Sequence, residues 1–199
     1  MTTIAFLGLG NMGGPMAANL VAAGNTVHGF DPVPAAVAAA IEKGATVFGT
    51  GAEAVADADT VITMLPNGDL VKRCYAEILP AAKPGTLFID SSTISVDDAR
   101  EVNRLAADHG FAQLDAPVSG GVKGAVAGTL AFMVGGDEGA VERELVTYIA
   151  PFVAMLPSPY REALTLTELE GMTQKDAAAM LGMASRHAFS VSFWPASRK

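Results

Sequence analysis

Cysteine is almost missing from this sequence: Cys74 stands alone among 199 residues. No internal disulfide can form, so a reducing cytoplasm is the expected location. Cys74 itself reads as a small helix residue rather than a reactive thiol. Charged residues are sparse at 17% and aromatic residues at 7%, yet hydrophobic residues reach 50%, which excludes a disordered chain. No apolar run approaches the roughly 20 residues needed to span a bilayer. The opening Met1-Thr2-Thr3-Ile4 lacks the basic stretch of a signal peptide, so no leader and no membrane partner are expected. Metal-ligand spacing is also missing. His109 and His187 pair with no Cys or acid cluster and read as surface or helix-end residues.

Basic residues are scarce where they would matter for nucleic acid. Residues 1–150 carry 8 Lys and Arg against 17 Asp and Glu, and residues 151–199 carry 5 against 4. An acidic main body repels phosphate backbones, which argues against nucleic acid as a partner. The length suits one α/β domain with a small appendage.

What the chain does contain is an alternation of two periods. Ile4-Ala5-Phe6-Leu7 is an apolar run of the buried parallel-strand kind, and residues 12–23 place Met12, Met16, Leu20 and Ala23 on one helical face before Gly24. Thr26–Phe30 makes a second strand ending at Asp31, and Pro34 opens an Ala-rich helix stopped by Gly44. Further strands are predicted at Thr60–Leu65, Thr86–Ile89, Phe111–Leu114 and Thr129–Val134. Helices are predicted over 69–79 and 96–108, the latter opened by Ser95 with Asp98 and stopped by Gly110. Such alternation predicts a parallel sheet with helices on both faces, whose ligands bind at the carboxyl ends of the strands.

Gly8-Leu9-Gly10-Asn11-Met12-Gly13 follows the first strand and opens the first helix, and Asp31 follows about 18 residues after Gly13. Gly8 permits a tight turn, Gly10 lets the backbone approach a pyrophosphate, and Gly13 lets helix and strand pack closely. The helix N-terminus then offers free N–H groups and partial positive charge. A carboxylate at Asp31 can accept both hydroxyls of an adenosine ribose and repels a 2′-phosphate, which favours NAD over NADP. The same Asp31 could instead cap the helix at Pro34. No Lys or Arg lies within the ten residues after it.

The run from Phe6 to Leu20 resembles the opening signature of 3-hydroxyisobutyrate dehydrogenases and the wider β-hydroxyacid dehydrogenase family. Three further blocks match in order, so that the resemblance covers about three quarters of the chain. Thr63-Met64-Leu65-Pro66 resembles the segment lining the adenosine side of the cofactor, which implies contacts at Met64, Leu65 and Pro66. Ile89-Asp90-Ser91-Ser92-Thr93-Ile94 resembles the loop beside the nicotinamide ribose, with Thr93 at the contacting position. Asp115-Ala116-Pro117-Val118-Ser119-Gly120-Gly121 resembles the substrate-binding block, and Gly128–Gly136 follows as in the family. The wording at Ser91–Ile94 and after Ser119 is closer to the hydroxyisobutyrate enzymes than to tartronate semialdehyde reductases. The implied fold is a Rossmann-type, doubly wound and mostly parallel sheet. The implied partner is a small carboxylate substrate, taken by the Ser119 hydroxyl and by exposed N–H groups of Gly120 and Gly121. A tight turn needing glycine for positive φ accounts for the same two residues.

The resemblance also implies a lysine base in a Lys-x-x-Asn-Asn setting, on a helix following the nucleotide domain. The 199 residues contain no such motif, so no catalytic residue is identified. Lys123, just past the glycine turn, is the nearest substitute and otherwise reads as a solvated loop lysine. The expected domains are 1–155 for cofactor binding and 156–199 as a short helical tail. Residues 156–182 resemble the helix-turn-helix region of extracytoplasmic-function sigma factors, but the following stretch is irregular and contains Pro195 and only one Arg before it. Two roles follow: an NAD-dependent 3-hydroxyisobutyrate dehydrogenase of valine breakdown carrying only its cofactor half, or a non-catalytic NAD-binding module or truncated, fused gene product. Loss of a covering domain leaves homo-oligomer formation open.

Overall fold

A computed structural model describes residues 2–136 of the chain. Two compact units divide after Leu130. In the first unit, strands and helices alternate as β1 Thr3–Leu7, α1 Gly13–Ala22, β2 Thr26–Phe30, α2 Pro34–Glu42, β3 Thr46–Val47, α3 Gly51–Val55, β4 Thr60–Thr63 and α4 Gly68–Ile78. A 3₁₀ turn at Leu79–Ala81 then leads to β5 Leu87–Asp90, α5 Val96–Asp108, β6 Gln113–Asp115, β7 Val118–Ser119 and α6 Gly121–Ala127. Described residues of the second unit include two short strands, β8 Ala131–Phe132 and β9 Gly135–Gly136.

Strands of the first unit lie side by side in the order β3-β2-β1-β4-β5-β6, and each neighbouring pair is parallel. This is the predicted doubly wound α/β sheet. Register brings the last residues of five strands into one row: Phe30, Leu7, Thr63, Asp90 and Asp115. Whatever follows each of them is delivered to the same edge.

Burial follows from the alternation of side chains across a strand. Ala5, Leu7, Val61 and Phe88 face a cluster with Val71, Tyr75, Ile78, Leu79, Val102 and Ala106 from the helices. In α4 the buried Val71, Tyr75 and Ile78 recur at helical spacing. The Phe88 ring sits 5.5 Å from Tyr75 and 5.1 Å from Phe111. Aromatic pairs of this kind add about 0.5–1.5 kcal/mol each beyond their area.

Helix stops fall at the predicted glycines. Gly24, Gly44 and Gly110 all adopt positive φ. Side-chain caps open α3, α4 and α5 through Thr50, Asn67 and Ser95. Three features depart from expectation. The short β3 and α3 occupy a stretch with no predicted element. Lys123 lies in a helix, not a loop, because Gly120 and Gly121 turn the chain directly into α6. The predicted strand Thr129–Val134 does not form as one piece: Gly128 closes α6 in the left-handed conformation, and Thr129 N–H donates back to the Gly124 carbonyl at 2.9 Å. The chain becomes extended only at Ala131.

Candidate functional site

Strand order reverses between β1 and β4 while the strands stay parallel, and in such sheets the ligand crevice lies beyond the carboxyl ends at that point. The glycine loop follows β1. Gly8 has φ +94°, and a Cβ there would overlap the Met64 carbonyl; a Cβ on Gly13 would overlap the Gly8 carbonyl. Both positions are sealed by the fold itself. Gly10 differs, because a Cβ there would meet nothing within 4 Å. Among the described residues nothing fills the space beside Gly10.

Gly8, Leu9 and Gly13 are buried, Met12 is half-buried, and Gly10 and Asn11 are exposed at the mouth of the loop. Leu9 sends its side chain into the core and its backbone N–H to Asp31 Oδ2 at 2.7 Å. Asp31 Oδ1 accepts from Val33 N–H at 2.8 Å. Asp31 therefore ties the glycine loop to the end of β2 and holds the residue that precedes α2, while α2 itself opens without a side-chain cap. Each carboxylate oxygen keeps a further lone pair. A shallow groove beside it is lined by Phe30, Pro32, Val37, Ile41 and Phe48. In α1 no side chain caps the N-terminus and no acid lies in the first turn. Within α1, then, no side chain offsets the partial positive charge of its N-terminus.

Across the crevice, Met64 and Leu65 are half-buried and Pro66 is exposed, while Thr93 stands exposed beyond β5. Between these loops lies a buried polar group that carried no role in the sequence reading. Asp90 Oδ1 accepts from Thr63 Oγ1 at 2.7 Å, from Ser92 Oγ at 2.6 Å and from Ser92 N–H at 3.1 Å. Ser92 Oγ in turn accepts from Leu65 N–H at 2.9 Å. Thr63, Asp90, Ser91 and Ser92 are all buried. Burial pushes the Asp90 carboxyl above its usual range. An aspartate ending an apolar strand and followed by two serines was the available sequence signal.

Asp115 pairs with Asp90 in register, and burial together with the Asp90 carboxylate pushes it up to about 6. Past it lie Ala116 and Pro117, then Ser119, Gly120 and Gly121, all three exposed. Gly120 and Gly121 have φ of +132° and +60°, values that glycine accommodates. Lys123 is exposed in the first turn of α6. Asn19 of α1 donates to the Ala125 carbonyl at 2.7 Å, joining the helix after the glycine loop to the helix after the Ser-Gly-Gly turn. Among the described residues no cluster of three metal-ligating side chains occurs and no helix is long and apolar enough to cross a membrane.

Residues 3–149 match the family described as the NAD binding domain of 6-phosphogluconate dehydrogenase. A separate match, to Sigma-70, region 4, covers residues 152–188, which lie outside the described residues. The chain is 68% identical over 143 residues to a protein of Mycobacterium tuberculosis described as a probable 3-hydroxyisobutyrate dehydrogenase, covering 72% of this chain and 49% of that protein. It is 47% identical over 146 residues to the NAD-dependent L-serine dehydrogenase of Pseudomonas aeruginosa, again covering 72% and 49%. The solved structure of the Mycobacterium tuberculosis 3-hydroxyisobutyrate dehydrogenase with L-serine matches with a TM-score of 0.73 and 51% identity, over 93% of this chain and 72% of that one. The chain spans about half the length of these curated relatives.

Proposed function

The chain belongs to the family described as the NAD binding domain of 6-phosphogluconate dehydrogenase, and we propose that it forms the cofactor-holding half of an NAD-dependent dehydrogenase of the 3-hydroxyisobutyrate type. The observation that carries this reading is the contrast within the glycine loop, sealed at Gly8 and Gly13 and open at Gly10.

The residues present fit a dinucleotide. Backbone N–H groups from Gly10 to Gly13 would receive the pyrophosphate at the N-terminus of α1. Asp31 would accept the ribose hydroxyls through its remaining lone pairs, and its charge disfavours the 2′-phosphate of NADP. Met64, Leu65 and Pro66 would line the adenosine side, with Thr93 beside the nicotinamide ribose. NAD, when bound, supplies the hydride acceptor for the alcohol carbon.

Ser119, Gly120 and Gly121 would hold the substrate carboxylate through one hydroxyl and two backbone N–H groups. The substrates for which the relatives are named, 3-hydroxyisobutyrate and L-serine, both carry a hydroxymethyl group next to the carbon that bears the carboxylate. The alcohol proton needs a base. Lys123 is exposed in the first turn of α6, and the 199 residues contain no Lys-x-x-Asn-Asn motif. We therefore expect the pure 199-residue chain to bind cofactor with little or no turnover. The reading extends to a cytoplasmic place in valine breakdown and to a cofactor domain ending near residue 155, followed by a distinct tail.

Fluorescence titration of the pure chain with NADH and NADPH tests the proposal, followed by NAD with 3-hydroxyisobutyrate or L-serine. Saturable binding with preference for NADH supports it. Absence of binding refutes it, and appreciable turnover means that a group such as Lys123 acts as base after all.

A further inference from the structure

Two loops that face the proposed cofactor site come from different strands, and their relative position is set by a short chain of hydrogen bonds beneath them. The Leu65 amide donates to Ser92 Oγ at 2.9 Å, and Ser92 Oγ donates its single proton to Asp90 Oδ1 at 2.6 Å. The same oxygen accepts the Ser92 N–H and the Thr63 hydroxyl. The Leu65 amide can only donate, so Ser92 Oγ accepts from it and keeps its one proton for Asp90 Oδ1. Neither Asp90 nor Ser92 is accessible to solvent. No water competes for these bonds, so each holds its geometry more strongly than a surface contact does.

We propose that Asp90 and Ser92 are positioning residues, which lock the Met64–Pro66 loop to the Ser91–Ile94 loop and so pre-form the cofactor crevice without touching the cofactor. This rests on the cofactor reading above. The bridge crosses from the end of β4 to the loop after β5 at the level where both strands leave the sheet. Backbone bonding alone joins the two loops from one side only, through Ser91 N–H to the Thr63 carbonyl at 2.8 Å. The Ser92 hydroxyl adds a second bridge one residue further out, so the loops are held at two points and cannot pivot about one. Pre-formation matters because ordering a loop on binding is subtracted from affinity.

The test compares Ser92→Ala with Thr86→Val in the full chain. Thr86 is also a buried hydroxyl, bonded to the Ala58 and Lys83 carbonyls immediately before β5, at the opposite end from the loops. Both changes delete buried hydrogen bonds, but only Ser92→Ala cuts the bridge to Leu65. Ser92→Ala is expected to weaken NADH binding about three- to tenfold, the equivalent of one lost hydrogen bond, while Thr86→Val leaves it within about twofold. Equal affinities of wild type and Ser92→Ala, or equal losses in both variants, overturn the inference. Wild type that fails to bind NADH overturns the cofactor reading itself and this inference with it. Should Ser92→Ala not fold, amide exchange of the free wild-type chain decides. Slow exchange at Leu65 before any cofactor is added supports a pre-formed bridge, and fast exchange there refutes it.

Discussion

Gly8, Gly10 and Gly13 lie two and three residues apart in sequence and do different physical work. A methyl group at Gly13 has nowhere to go, since it would overlap the Gly8 carbonyl and crowd the Phe6 ring. Gly13→Ala should cost about 3 kcal/mol or more, at the upper end of overpacking penalties, visible as a lowered melting temperature. Gly10→Ala should leave stability unchanged or slightly raised, because its Cβ meets open space and its φ is not in the left-handed region. NADH affinity, however, should fall at least about tenfold as the methyl group blocks the approach of the pyrophosphate. Equal loss of stability in both variants would show that Gly10 is structural. Asp31→Asn keeps one oxygen as acceptor but removes the charge beside the ribose. Its ratio of NADPH to NADH affinity should rise about tenfold, and an unchanged ratio in paired titrations would remove Asp31 as the selector.

Elements were legible where their periodicity was long enough to register. Helix α5 matches its predicted span of 96–108, because Ser95 caps one end and Gly110 closes the other. The two-residue β3 and five-residue α3 are too short for any period, although Thr50 and Glu53 form a reciprocal capping box that was readable in the sequence. Helix α6 was hidden because Gly121 and Gly124 are poor helix formers. Of the candidate site, the loop residues were legible because each follows a strand end. Asp90 and Ser92 were not, because their role is a hydrogen-bond path between chain segments that only pairing of β4 with β5 brings together. Helix α4 offers a direct probe of element stability. Cys74 is mostly buried within it, and burial pushes its thiol up to about 12. A disulfide reagent should modify Cys74 only as fast as the helix detaches, slowly at pH 8 in the native chain and at once in denaturant. Rapid native labelling would mean that α4 opens far more easily than its buried Val71, Tyr75 and Ile78 imply.

At the scale of the whole molecule, the carboxyl edge of the sheet concentrates negative charge that folding has to accommodate. Asp90 and Asp115 sit side by side on β5 and β6, and both carboxyls are raised. A raised carboxyl binds its proton more tightly in the folded chain than in the unfolded one. For Asp115 the stabilising share is complete below about pH 4, where the unfolded group is also protonated, and disappears as pH rises through the folded value near 6. Asp59 and Asp98 act in the opposite sense, lowered by Lys83 and Lys72 respectively, but both lie near the surface, where solvent and salt weaken the effect. The contribution of Asp115 should therefore fall between pH 4 and pH 7. Asp115→Asn removes the group responsible. The shift of Asp115 sets an upper bound of about 3 kcal/mol at 1.36 kcal/mol per unit, and its partial exposure reduces that to about 1–2 kcal/mol. Thermal unfolding across this range should show the variant melting about 3–8 °C above wild type at pH 7.5 and level with it at pH 4. A constant difference at both pH values would mean that Asp115 titrates alike in the folded and unfolded chain, and that the pair at the strand ends carries no repulsion.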